Sequence, residues 1–210
     1  MKTYYQKRAP VYDNVYQYPE RQTDLRFLEE YIARQFSGLN ILEIAAGTGY
    51  WTQFIAKHAS SILSTDITPE TLEQLKKRKL PGNVSICESD AYNLNHLPNN
   101  FNGAFAGLWL SHVPKQRLRD FLFGLHSKLQ PGSTVLFVDN SRAQCVRLPI
   151  SRFDEYGNSF QQRELGNGSS YEILKNFPAE FELMKLTEDL GFERRYIQLD
   201  NYWLFRYQIK

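Results

Sequence analysis

Between residues 40 and 141, five short apolar runs alternate with segments of helical spacing. No other property of the chain restricts its fold as much. The runs are NILEIAA, SILSTDI, NVSICESD, FNGAFAGLWL and GSTVLFVDNS. Each is close to continuously apolar, which predicts strands buried on both faces. YWTQFIAKHA, ETLEQLKKRK and PKQRLRDFLFGLHSKL separate them and read as helices, with Pro69 and Pro114 near two of the starts. Pro81-Gly82 and Pro131-Gly132 mark turns before two of the strands. Strand and helix in regular succession predict a parallel sheet covered on both sides. Upstream, Leu25, Leu28, Ile32 and Phe36 recur at helical spacing, and Gly38 suits the helix stop.

After Ser141 the pattern changes. SFQQREL and SYEILK flank GNGS, a strong hairpin signal. PAEFELMKLTEDLGF reads as a helix, and the closing RRYIQLDNYWLFRYQIK as strand, turn and strand. Those two strands are too close for a helical crossover, so they are expected to pair antiparallel at the sheet edge.

The 210 residues, 42% of them hydrophobic, suit a single domain with a substantial core. No apolar run is long enough to cross a membrane, and MKTYYQKRAPVYD has no signal-peptide core. Cys87 and Cys145 share no motif spacing, so a reduced, cytoplasmic chain is expected, with no metal site. A net charge of +2 with scattered basic residues argues against a nucleic-acid partner but leaves room for a small anionic ligand.

The stretch ILEIAAGTGYWT, residues 41–52, ends a strand in Gly-x-Gly and opens a helix. Gly47 and Gly49 allow a ligand to approach the backbone closely. Asp66, at the end of the second strand and 17 residues after Gly49, is placed to accept both hydroxyls of a ribose. Thr52 stands where a nicotinamide-binding turn prefers a third glycine. Glu43 would repel a pyrophosphate and attract a cation. Asp90, ending the third strand, suits an adenine amino group. The set Glu43, Gly47, Gly49, Asp66 and Asp90 therefore points to S-adenosylmethionine, a nucleoside with a sulfonium and an ammonium and no phosphate. The competing reading of these acids is solvated strand ends and helix caps.

On these residues the chain resembles the class I S-adenosylmethionine-dependent methyltransferases. LEIAAGTGYWT is similar to the cofactor loop of that family, and SDAY to its adenine-contacting turn. YYQKRAPVYD, FAGLWLSHVPKQRLRDFL and GSSYEILKNFPAEFEL narrow the likeness to small-molecule enzymes such as the phosphonate O-methyltransferases of dehydrophos biosynthesis. The resemblance implies a single Rossmann-like, doubly wound α/β domain over 1–210. Its sheet would have seven mostly parallel strands with an antiparallel C-terminal edge strand. A helical lid (1–38) and a β-hairpin substrate cover (142–176) complete the expectation. It also adds Ala45, Trp51, Thr52, Ile67, Ala91 and Leu108 to the cofactor side.

The acceptor side is expected around His112, in the segment WLSHVP that follows the fourth strand. Histidine there would serve as a base or as a donor to an anionic acceptor, with helix capping as the alternative. Tyr5, Tyr12 and Tyr18 of the tyrosine-rich N-terminus, with Trp109, would wall the pocket, or else pack as an ordinary helix. Arg163 and Lys175, in the hairpin, would clamp an acidic acceptor unless they are spent on surface ion pairs. The expected activity is O-methylation of a small phosphonate- or carboxylate-like metabolite. N- or C-methylation of a neutral or aromatic molecule, and a non-catalytic cofactor-binding regulator, are the alternatives.

Overall fold

The computed structural model describes residues 1–210. The N-terminal segment folds as α1 (Lys2–Arg8), a 3₁₀ stretch (Ala9–Tyr16) and a short 3₁₀ turn (Pro19–Arg21), leading into α2 (Gln22–Gln35). Strands and helices then alternate: β1 (Asn40–Glu43), α3 (Thr52–Ile55), β2 (Ser61–Asp66), α4 (Pro69–Lys76), β3 (Val84–Glu88), β4 (Phe101–Gly107), α5 (Leu118–His126) and β5 (Leu129–Asn140). A small sheet of β6 (Arg152–Phe153), β7 (Ser159–Glu164) and β8 (Ser170–Leu174) interrupts the pattern. The chain closes with α6 (Glu180–Leu186), β9 (Gly191–Gln198) and β10 (Tyr202–Ile209).

The main sheet has seven strands in the order β3-β2-β1-β4-β5-β10-β9. β1 to β5 pair in parallel, and β10 runs antiparallel between β5 and β9. The apolar runs are explained by burial on both faces. In β1, Leu42 packs on the side of α5 and α6, with Phe121, Leu125 and Leu183. Its neighbour Ile41 packs on the side of α2, with Leu28, Ile32 and Phe36. Successive side chains point to opposite faces, so a strand with two covered faces has no place for polar alternation.

Two expected elements came out differently. The helix anticipated over 50–59 is reduced to Thr52–Ile55, and Asn83 Nδ2 donates to the carbonyls of Ala56 and Ala59 beyond its end at 2.9 and 2.8 Å. The Pro131-Gly132 turn is absorbed into β5 as an irregularity, with the register against β4 shifting between Phe101 and Gly103.

β4 approaches the loop after β1 closely. A Cβ on Gly107 would fall 2.5 Å from Trp51 Cδ1. Gly107→Ala should therefore destabilise the fold by about 1–3 kcal/mol, the usual cost of overpacking a tight interior. Denaturant unfolding monitored by tryptophan fluorescence checks this, and an unchanged midpoint would show that Trp51 yields freely.

Candidate active site

β1 and β4 are neighbours although β2 and β3 lie between them in sequence, so a crevice opens at their carboxyl ends. It holds a cavity of about 280 Å³. Of the expected cofactor residues, Ala45, Gly47, Asp66, Ile67, Asp90, Ala91 and Leu108 line it. Two of these, Ala45 and Leu108, hold the left-handed backbone conformation at φ 52° and 56°. Non-glycine residues adopt that conformation at a cost, and such strain collects at ligand sites.

Asp66 organises the loop from within. Its carboxylate accepts the backbone N–H of Gly47 at 2.9 Å and that of Thr68 at 2.8 Å. Each oxygen keeps a lone pair for a further donor. Burial raises the Asp66 pKa, opposed by those backbone donors.

Four expected cofactor residues support the loop instead of facing the cavity. Glu43 is buried beneath it, where Oε2 accepts the hydroxyls of Thr52 and Ser64 at 2.7 and 2.6 Å. Burial pushes its pKa up to about 7, against those two hydrogen bonds. Trp51 and Thr52 are buried in the same layer. Gly49 adopts φ 77°, and a Cβ there would lie 2.7 Å from Leu75 Cγ, so its smallness serves the packing of α4.

Of the residues expected on the acceptor side, Tyr5, Tyr12, Trp109 and His112 line the cavity. His112 is held by two contacts. Its Nδ1 lies 2.5 Å from the carbonyl oxygen of Leu174, and its Nε2 lies 2.9 Å from the Tyr5 hydroxyl. A carbonyl only accepts, so Nδ1 carries the proton and Nε2 presents a lone pair to Tyr5 O–H. Burial lowers the His112 pKa well below its usual value, and Lys175 and Arg163 lower it further. The imidazole is therefore an acceptor at Nε2, which removes the expected role as donor to an anionic acceptor.

Neither expected clamp residue lines the cavity, and their partners differ. Arg163 is buried, and its guanidinium meets only neutral oxygens: Gln161 Oε1 at 2.8 and 3.3 Å and the Tyr5 hydroxyl at 3.4 Å. Lys175 is buried too, but its Nζ donates to Asp139 Oδ1 at 2.6 Å and Asn140 Oδ1 at 3.1 Å, away from the cavity lining. Burial pushes its pKa down to about 8, with Asp139 opposing. Tyr18 also lies outside the cavity, between the guanidinium groups of Arg21 and Arg147 at 4.9 and 3.9 Å from its ring centre. The other tyrosines divide their roles: Tyr5 and Tyr12 face the cavity, while Tyr16 stacks on Tyr50 at 3.5 Å within the core.

Sequence reasoning missed Ser89, Thr68, Thr71 and Tyr92 in the lining. Their positions, just before Asp90 or just after Asp66 and Ala91, were the available signal. The Ser89 hydroxyl and the Trp109 indole N–H are buried without a protein partner. Lys2 is the only Lys or Arg in the lining, against the carboxylates Asp66 and Asp90. Such a lining fits a cationic nucleoside without phosphates: Asp66 for its ribose, and Ser89, Asp90 and the Trp109 N–H as free polar partners.

Residues 41–132 match the family model described as a methyltransferase domain. Over 133 residues the chain is 29% identical to the mitochondrial ubiquinone biosynthesis O-methyltransferase of Schizosaccharomyces pombe, covering 60% of this chain and 47% of that protein. It thus spans about half the length of that relative. It is 26% identical over 176 residues to the demethylmenaquinone methyltransferase of Staphylococcus aureus, covering 74% of this chain and 68% of that one. Two solved structures of DhpI superpose with a TM-score of 0.80: a DhpI–SAH complex at 25% identity and a DhpI–SAM–HEP complex at 26%. They cover 99% and 98% of this chain, and each is itself covered to 94%. The Rossmann-like class I methyltransferase fold is therefore the fold of this chain.

The His112 arrangement has a measurable consequence. The unfolded chain takes up a proton on this imidazole near pH 6.5, and the folded chain resists it. The native state then binds fewer protons below that pH, so its stability falls as the solution is acidified from about 6.5. Comparing unfolding free energies of wild type and His112→Gln should show the variant with a flatter acid limb. Nitrogen-15 NMR of the wild type should show Nδ1 protonated and Nε2 bare.

Proposed function

We propose that this chain, which carries the class I methyltransferase fold, is an enzyme that methylates an oxygen of a small acidic molecule, with S-adenosylmethionine as cofactor. When bound, the cofactor supplies a methyl group on a sulfonium, open to in-line attack. The chain's own contribution is placement: Asp66 takes the ribose hydroxyls, and Asp90 and Ser89 take polar groups of the base. Bringing two reactants into line supplies most of the acceleration in such a displacement.

The observation that carries the acidic acceptor is Arg163. A guanidinium buried among neutral oxygens costs several kcal/mol of lost hydration, about the amount seen for other unpaired buried ions. Arg163 stands behind Tyr5, outside the cavity lining, and an anion that displaced the Tyr5 hydroxyl would offset that cost through paired hydrogen bonds. Lys175, already matched by Asp139, adds no uncompensated charge but anchors the strand that carries the His112 partner. An acceptor oxygen that is already ionised needs no base. A protonated acid oxygen would donate to His112 Nε2 in place of Tyr5. The segment 1–38 acts as a lid that keeps water from the reacting atoms, and 142–176 as the cover that delivers Arg163.

Three measurements test this reading. S-adenosylhomocysteine should raise the melting temperature and NAD should not. In a screen of phosphonates, carboxylates, phenols and amines, small acids should be turned over preferentially. Arg163→Ala should raise KM for the best acid about 10- to 100-fold, as expected for a lost charge-assisted hydrogen bond, with a smaller change in kcat. Turnover of a neutral amine or phenol that ignores Arg163→Ala would replace the acidic acceptor with the aromatic one. Binding of S-adenosylhomocysteine without turnover across the screen would favour a regulator.

A further inference from the structure

The loop between β1 and α3 is gripped from outside as well as from inside. Thr48 is its crown, 3% exposed, between Gly47 at φ 58° and Gly49 at φ 77°. The Thr48 hydroxyl donates to Asp13 Oδ1 at 2.5 Å. Arg78, just past the end of α4, donates from Nε to the Thr48 carbonyl at 2.6 Å and pairs through its guanidinium with Asp13 Oδ2. One carboxylate of the N-terminal segment thus closes a ring with both polar groups of the loop's central residue.

Asp13 adjoins Tyr12, which lines the cavity and packs with its ring centre 6.0 Å from that of Tyr5. Tyr5 in turn reaches His112 and Arg163. The Asp13 side chain is 42% exposed and that of Arg78 20%. Ion pairs so open to water add little to global stability. The value of this one lies in where it holds the chain.

We propose that Asp13 is a positioning residue: it clasps the tyrosine-bearing N-terminal segment to the crown of the glycine loop, so that a ligand that orders the loop also sets Tyr5 and Tyr12 over the acceptor end. The proposal rests on the cavity being the cofactor site. On the inner side Asp66 holds Gly47, and on the outer side Asp13 and Arg78 hold Thr48. Loop and lid therefore share one support and order together. A competing anchor exists in the stack of Tyr16 on Tyr50, which ties the same segment to the core three residues further on.

Hydrogen exchange of the full chain separates the two anchors. In the free protein, Asp13→Ala should speed exchange across residues 2–16 at least tenfold while leaving α2, β1 and β4 unchanged. Thr48→Val, which leaves the Asp13–Arg78 pair in place, should speed it less, and the double variant should do no more than Asp13→Ala, which already removes the shared contact. Asp13→Asn, which keeps an oxygen for Thr48 but loses the charge toward Arg78, should fall between. With S-adenosylhomocysteine added, the wild type should gain protection in residues 2–16 and 44–49. Asp13→Ala should gain it in 44–49 alone. Wild-type exchange in residues 2–16 of Asp13→Ala, or additive effects in the double variant, would assign the anchoring to Tyr16 and overturn the proposal. If S-adenosylhomocysteine fails to bind the wild type, the cofactor reading fails, and the free-protein comparison still decides the role of Asp13.

Discussion

Everything at the candidate site depends on the side-by-side placement of β1 and β4. The cavity lies at their carboxyl ends, where the segments after β1 and β4 are joined by those after β2 and β3 and by the N-terminal segment. The same constraint explains the strained residues. Ala45 leaves β1 and Leu108 leaves β4 in the left-handed region, each turning the chain away from its neighbour at the point of separation. Both strands are held there by cores on the two faces of the sheet, so the backbone has little freedom to relax.

The acceptor end is a problem in charge placement. Two cations and one carboxylate are buried near His112: Lys175 and Asp139 neutralise each other, and Arg163 is left over. Asp139 also accepts the N–H of Ser111 at 3.0 Å, and Asn176 N–H reaches the Ser111 carbonyl at 2.8 Å. The turn that carries His112 is thus stitched to β5 and to the end of β8 before any ligand enters. The result is an imidazole of fixed tautomer, its lone pair turned to the Tyr5 hydroxyl, with an unmatched guanidinium on the other side of that hydroxyl.

The fold was legible because its signals are local or periodic: apolar runs, proline and glycine punctuation, and Asp66 at a readable distance from the glycines. The pairing of the last two strands followed from the shortness of their connection. The acceptor end was only half legible. Lys175 and Arg163 looked alike in sequence, and what separates them is Asp139, 36 residues before Lys175 and brought to it only by folding. Glu43 was rightly singled out as an acid inside a strand, yet its partners Thr52 and Ser64 turn it inward. Tyr18 shared a composition with Tyr5 and Tyr12, and only the course of the 3₁₀ stretch assigns them to different surroundings. Asp13 carried no sequence signal, since a lone acid among tyrosines reads as solvated surface.

The three-stranded sheet that brings in Arg163 is joined to the main sheet's chain path at only two places, after β5 and before α6. The residues expected on the cofactor side all fall between 43 and 108, entirely upstream of it. Of the residues expected on the acceptor side, only Arg163 and Lys175 come from this stretch, while Tyr5, Tyr12, Trp109 and His112 reach the cavity from elsewhere in the chain. A graft of residues 142–176 from a relative, ends matched at Ser141 and Phe177, would exchange the small sheet as a cassette and leave residues 43–108 unaltered. Such an exchange would change the buried charge behind Tyr5 without touching the glycine loop.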